Sequence, residues 1–123
     1  MVGIDGVPRI FDFGIATATR RLQSTRAGTL KGKLAYMVPE QVLQTSCDRR
    51  VDVYAAGVVL WEALTGQDLF QERNDAATLA RLLESDIVRP SLVHEEIPRA
   101  IDAIVMRALA RDPDRRYGTA LDM

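Results

Sequence analysis

The chain has 123 residues, 47% hydrophobic and 27% charged, the composition of a globular domain with a single core. With 16 Lys and Arg against 17 Asp and Glu, no basic field directs it to nucleic acid or to an acidic membrane surface. Its one cysteine, Cys47, excludes an internal disulfide and a cysteine-held zinc, and fits a reducing, cytoplasmic setting.

Met1-Val2-Gly3-Ile4-Asp5 has neither the basic start nor the apolar stretch of a leader peptide. Residues 1–13 predict a short β-hairpin around Asp5-Gly6, and Arg9-Ile10-Phe11-Asp12-Phe13 alternates as a half-buried strand does. From residue 14 to 33 the pattern disappears into Thr, Ser, Gly, Arg and Lys, which predicts a long loop. Loops of that length are uncommon in compact domains and tend to be functional.

Residues 51–64 are apolar on nearly every face, as expected of a helix sunk in a core, and Gly66 stands at a C-cap position. The apolar run at 53–61 is far short of the ~20 residues of a membrane span, so no membrane segment is predicted. A helix over 75–84 would start at an Asp75 N-cap, place Leu79, Leu82 and Leu83 on one face, and find Pro90 blocking any continuation. Another begins at Pro98 with the stripe Ile101, Ile104, Val105, Ala108 and Leu109. Glu95 and Glu96 before it and Arg111 near its end would suit the helix dipole. Residues 119–123 read as a helix opening at a Thr cap and stopping after one turn. The whole is one mainly α unit.

Four short motifs recur in order. Asp12-Phe13-Gly14 closes a strand and opens the long loop; alone it is weak, since a strand ending in a turn explains it equally well. Gly32-Lys33-Leu34-Ala35-Tyr36-Met37 leads into Val38-Pro39-Glu40, and Asp52 opens the apolar helix. Asp112-Pro113-Asp114-Arg115-Arg116-Tyr117 follows near the end.

Together these resemble the eukaryotic-like (Hanks-type) serine/threonine protein kinases, with Pro39-Glu40-Gln41 similar to bacterial members, over essentially all 123 residues. The resemblance implies a C-terminal-lobe fold: a hairpin to the D-F-G motif (1–13), an activation segment (14–40) and lobe helices (51–123). Asp12 would bind the magnesium that bridges the ATP phosphates, with Phe13 packing and Gly14 as hinge. Ser24, Thr25 and Thr29, near Arg21, Arg26 and Lys31, would be phosphosite candidates in a loop that orders on phosphorylation, although a solvated polar loop is the plainer reading of each. Asp52 matches an aspartate that holds the catalytic-loop backbone, and Glu40 and Arg116 match a buried ion pair tying the segment to the lobe.

Lys33 departs from the family, which usually has threonine there in contact with the catalytic loop. Met1-Val2-Gly3 aligns with the strand after that loop, so the resemblance implies a domain cut just before residue 1 and again at residue 123. A Gly-rich loop, the ATP-pairing lysine and the catalytic base are not found in the 123 residues. Alone the chain is therefore expected to transfer no phosphate and to bind ATP and magnesium poorly. A non-catalytic module that docks a protein substrate or regulator on the lobe surface is the competing reading. A helix apolar all round but lacking one neighbour would expose some of Val53, Val58, Val59, Leu60 and Trp61, inviting self-association. His94, with no second ligand nearby, reads as a surface or capping histidine.

Overall fold

A computed structural model describes residues 34–123; the expected hairpin, the loop over 14–33 and Asp12, Phe13, Gly14, Ser24, Thr25, Thr29 and Lys33 lie outside the described residues. The described residues are built from helices and turns. A 3-10 turn, Leu34–Tyr36, precedes α1 (Pro39–Val42), α2 (Arg50–Thr65), α3 (Asp75–Glu84), α4 (Pro90–Val93) and α5 (Arg99–Ala108), and a second 3-10 turn spans Pro113–Arg115.

The α2 helix is the axis of the core. Val53, Tyr54, Val58 and Trp61 are buried on it, and its sequence is apolar enough that several neighbours can pack around it. It ends as expected: Gly66 takes a left-handed φ of 65°, and its N–H donates to the Glu62 carbonyl at 2.8 Å. On one side lies α5, brought close because Gly57 has no side chain; a Cβ there would stand 2.9 Å from the Ala108 Cβ. The α5 stripe falls where its spacing places it, with Val105, Ala108 and Leu109 buried and Ile101 and Ile104 half-buried. On the other side Leu69, Phe70 and Leu82 join Ala35 and Val38 in the same core. Trp61 is anchored by Nε1 donating to the Val88 carbonyl at 2.7 Å.

Of the five α2 residues expected to risk exposure, only Val59 is exposed, at 55%; Val53, Val58 and Trp61 are buried and Leu60 is half-buried. The helices present among the described residues cover most of α2, and the uncovered strip is narrow: Asp52, Ala56, Val59 and Ala63.

Local signals were displaced in four places. The α3 N-cap is Asn74 rather than Asp75, because Asn74 sits in extended backbone and its Oδ1 reaches the Ala77 N–H at 2.9 Å, while Asp75 is already helical. Asn74→Ala should therefore cost about 1 kcal/mol by chemical denaturation, and Asp75→Ala clearly less. Pro90 does not stop α3, which ends at Ser85; it opens α4, where its missing N–H leaves no intrahelical bond unmade. Arg111 lies beyond α5 and donates instead to the Ser85 carbonyl at 2.6 Å. Residues 119–123 form a turn rather than a helix. In it the Thr119 N–H donates to Asp122 Oδ2 at 2.9 Å and the Asp122 N–H donates to Thr119 Oγ1 at 3.3 Å, a reciprocal cap with one turn too few to propagate.

Candidate functional site

The sequence-predicted residues inside the described region are Glu40, Asp52 and Arg116, and the structure brings the first and last of them together. Glu40 is held on α1, which Pro39 starts and a left-handed residue ends. Gln44, at φ 55°, lets the Thr45 N–H return to the Glu40 carbonyl at 2.9 Å and its own N–H donate to the Gln41 carbonyl at 3.3 Å. Arg116 follows the second 3-10 turn, which the Asp112 side chain caps by accepting from the Asp114 N–H at 2.9 Å. These two short, tightly closed motifs, 76 positions apart, aim a carboxylate and a guanidinium at each other.

The pair is bidentate. Arg116 Nη1 donates to Glu40 Oε1 at 2.6 Å and Nη2 to Oε2 at 2.9 Å, with 0% of the Arg116 side chain and 8% of the Glu40 side chain exposed. Burying two charges is costly unless every donor is used. Arg116 meets that condition: Nε donates to the Ala110 carbonyl at 2.7 Å, Nη2 also to the Arg111 carbonyl at 3.1 Å and Nη1 also to the Arg50 carbonyl at 3.4 Å. The guanidinium carbon stands 4.7 Å from the centroid of the Tyr54 ring, adding a cation–π contact.

Tyr54 itself carries an unexpected feature. It is fully buried, and its hydroxyl has no hydrogen-bond partner among the described residues. Burial pushes its phenol well above the usual tyrosine range. A buried orphan hydroxyl costs about 1–3 kcal/mol, so Tyr54→Phe should keep or raise the melting temperature. A clear fall would show that the hydroxyl has a partner in solution.

Asp52 lies in the first turn of α2, exposed, and its carboxylate has no hydrogen-bond partner among the described residues. Beside it Arg50 pairs with Asp48 at 2.8 Å and Asp114 at 2.6 Å, and Arg49 Nε donates to the Gly118 carbonyl at 2.8 Å. The α2 N-terminus is thus fixed to the segment that carries Arg116, leaving Asp52 as a presented carboxylate at the helix end that favours negative charge.

Sequence reasoning placed Glu62 at the end of the motif that Asp52 opens but gave it no role. Its Oε2 accepts from the Tyr36 hydroxyl at 2.8 Å and its Oε1 from the Leu69 N–H at 3.0 Å. The available signal was a carboxylate in the last turn of a helix, where the dipole disfavours it. His94 is a capping residue: Nε2 donates to the Thr65 carbonyl at the α2 C-terminus at 2.9 Å. Among the described residues no three His, Cys, Asp or Glu side chains converge as a metal site, and no helix is long and apolar enough to cross a membrane.

The described residues thus form a helical lobe around a buried axial helix, closed by a carboxylate–guanidinium pair between a Pro-Glu turn and a late Arg. The protein kinase domain family model matches residues 1–122, and the chain belongs to that family. It is similar to the tyrosine-protein kinase MasK of Myxococcus xanthus, 44% identical over 115 residues, covering 94% of this chain and 18% of that protein. It is also similar to the serine/threonine-protein kinases PknE of Mycobacterium tuberculosis and PknB of Mycobacterium leprae. Each is 37% identical across 100% of this chain, which covers 22% and 20% of them. The chain thus spans about a fifth of the length of these curated relatives. Among solved structures, the twitchin kinase region of C. elegans matches with a TM-score of 0.65 at 22% identity, over 71% of this chain and 15% of that one, a likeness of fold.

Proposed function

We propose that these residues are the lower-lobe part of a bacterial serine/threonine protein kinase that transfers the ATP γ-phosphate to protein hydroxyls. The observation that carries this reading is the closed Glu40–Arg116 pair, which pins the end of the expected activation segment (14–40) to the lobe. Pinning matters because phosphoryl transfer depends mainly on positioning and charge neutralisation, and a segment fixed at its end can present a substrate while its middle switches. Asp52, presented at the start of α2, suits the role of holding a catalytic-loop backbone through its carboxylate.

In the full-length protein, ATP and magnesium would supply the transferred phosphoryl group and its charge neutralisation. The family resemblance gives the metal to Asp12, a hard carboxylate, with Phe13 and Gly14 beside it. Ser24, Thr25 and Thr29 are the proposed regulatory hydroxyls. A cytoplasmic setting fits a free, exposed Cys47.

The names of the relatives divide between tyrosine and serine/threonine kinases. With Lys33 where the family usually has threonine, the acceptor deserves a direct test. Native protein captured with an antibody against residues 34–123 should phosphorylate a general protein substrate with ATP and magnesium, giving phosphoserine and phosphothreonine, and Asp12→Asn should abolish transfer. Phosphotyrosine as the sole product would overturn the acceptor assignment. A stable native species of 13.7 kDa without transfer would overturn catalysis and favour a docking module.

A further inference from the structure

Ser91 is strapped into α4 by a single side chain of α5. Its hydroxyl donates to Asp102 Oδ2 and its N–H donates to Asp102 Oδ1 at 2.9 Å, so both carboxylate oxygens are spent on one residue. Asp102 is 6% exposed, whereas Ser91 is half-buried. These bonds, led by the one from the hydroxyl, hold the Asp102 carboxyl below the usual carboxylate range, and Arg89 and Arg99 add to the effect. The strap acts beyond α4, because the C-cap of that helix is His94, whose ring holds the Thr65 carbonyl at the end of α2.

Ser91 also lines a cavity of about 540 Å³ between α4 and α5, ample room for a phosphoryl group. Four charged side chains share that lining: Arg89, Glu95, Arg99 and Asp102. Neither guanidinium has an ion-pair partner among the described residues. Two cations against two carboxylates leave the cavity balanced, so a second strong anion beside Ser91 must compete with Asp102 for them. The approach to Ser91 is open as well. Residues 85–89 form neither helix nor strand, Arg89 has extended backbone, and a helix of four residues has little stability of its own.

We propose that Ser91 is a phosphorylation site, whose phosphate takes Arg89 and Arg99 as partners and expels the Asp102 carboxylate, releasing α4 from α5. In the transfer, Ser91 Oγ bonds to the γ-phosphorus of ATP as the bond to the β–γ bridging oxygen breaks. ADP leaves, and the hydroxyl proton passes to the carboxylate base of the acting kinase. Any protein kinase that accepts the Arg89-Pro90-Ser91 stretch can supply this step, whether or not this chain transfers phosphate itself. The product carries a charge of about −1.5 to −2 where the hydroxyl was neutral, and a hydrogen-bond donor to Asp102 has become a repelling anion.

Native protein captured with an antibody against residues 34–123 and cut with trypsin should yield the peptide 82–99, since an Arg-Pro bond resists cleavage. Mass spectrometry should find phosphate on it, with fragment ions placing the group on Ser91. A peptide unmodified in growing and starved cells alike, or modified only at Ser85, would remove the site. The rearrangement is read in the intact protein with phosphoserine encoded at position 91. Hydrogen exchange of the residue-91 amide should be roughly tenfold faster than in the unmodified protein, but only about twofold faster in Ser91→Ala, which keeps the N–H bond to Asp102. In Asp102→Asn, whose amide does not repel the phosphate, phosphorylation should bring no such acceleration. Equal protection with and without the phosphate would sink the release. Combining Arg89→Gln with Arg99→Gln should raise the second ionisation of the phosphate, followed by phosphorus NMR, by roughly half a pH unit or more. An unmoved midpoint would show that the guanidiniums do not hold it.

Discussion

Glu40→Ala should destabilise the fold by about 3–5 kcal/mol, because it strands a guanidinium that is fully buried. At about 4 °C per kcal/mol for a domain near this size, the melting temperature should fall by roughly 10–20 °C. The loss has two parts. The two charge-assisted bonds at 2.6 and 2.9 Å disappear, and Arg116 must then either remain unpaired or swing out, giving up its bonds to the Ala110 and Arg111 carbonyls. Glu40→Gln, which keeps an acceptor, should lose less. Arg116→Lys should lose nearly as much as Glu40→Ala, since an ammonium cannot make the paired fork or lie over the Tyr54 ring in the same way. An unchanged melting temperature in Glu40→Ala would mean that the pair is open in solution.

Phe70→Ala should cost a similar amount, about 3–5 kcal/mol, for a different reason. Phe70 is 1% exposed, and its ring lies parallel to that of Tyr54 with centroids 6.4 Å apart. Removing it opens a cavity among Tyr54, Trp61, Leu69 and Leu82, on elements too constrained by their own caps and turns to collapse into the space. Urea denaturation of both variants separates the causes. Added benzene should partly restore Phe70→Ala, since apolar cavities stay dry and take such ligands, and should do nothing for Glu40→Ala. A Phe70→Ala chain as stable as the parent would show that the core repacks.

Both predictions rest on features of different legibility. Of the three long helices, α3 and α5 could be read from periodicity and α2 from its nearly unbroken apolar run, with α2 and α3 placed nearly to the residue and Gly66 marking the end of α2. The Glu40–Arg116 contact was available only through the family resemblance; a separation of 76 positions leaves no local trace. The N-cap slipped by one residue because Asn74 and Asp75 carry equally suitable side chains, and only backbone geometry decides which one faces Ala77. Pro90 was read as a stop because a four-residue helix is too short for periodicity to reveal. Glu62 and the orphan Tyr54 hydroxyl were hidden in an apolar run, where the eye counts hydrocarbon and passes over single polar atoms. The expected hairpin, the D-F-G residues and the phosphosite candidates fall outside residues 34–123.

The gap left by Gly57 also acts as a gauge. It sets how near α5 may come to α2, and α5 runs directly into the loop whose Ala110 and Arg111 carbonyls steady Arg116. A single methyl at position 57 would meet Ala108 at 2.9 Å with no flexible tip to yield. One missing side chain on the axial helix thus works as a spacer for a charge contact elsewhere in the lobe.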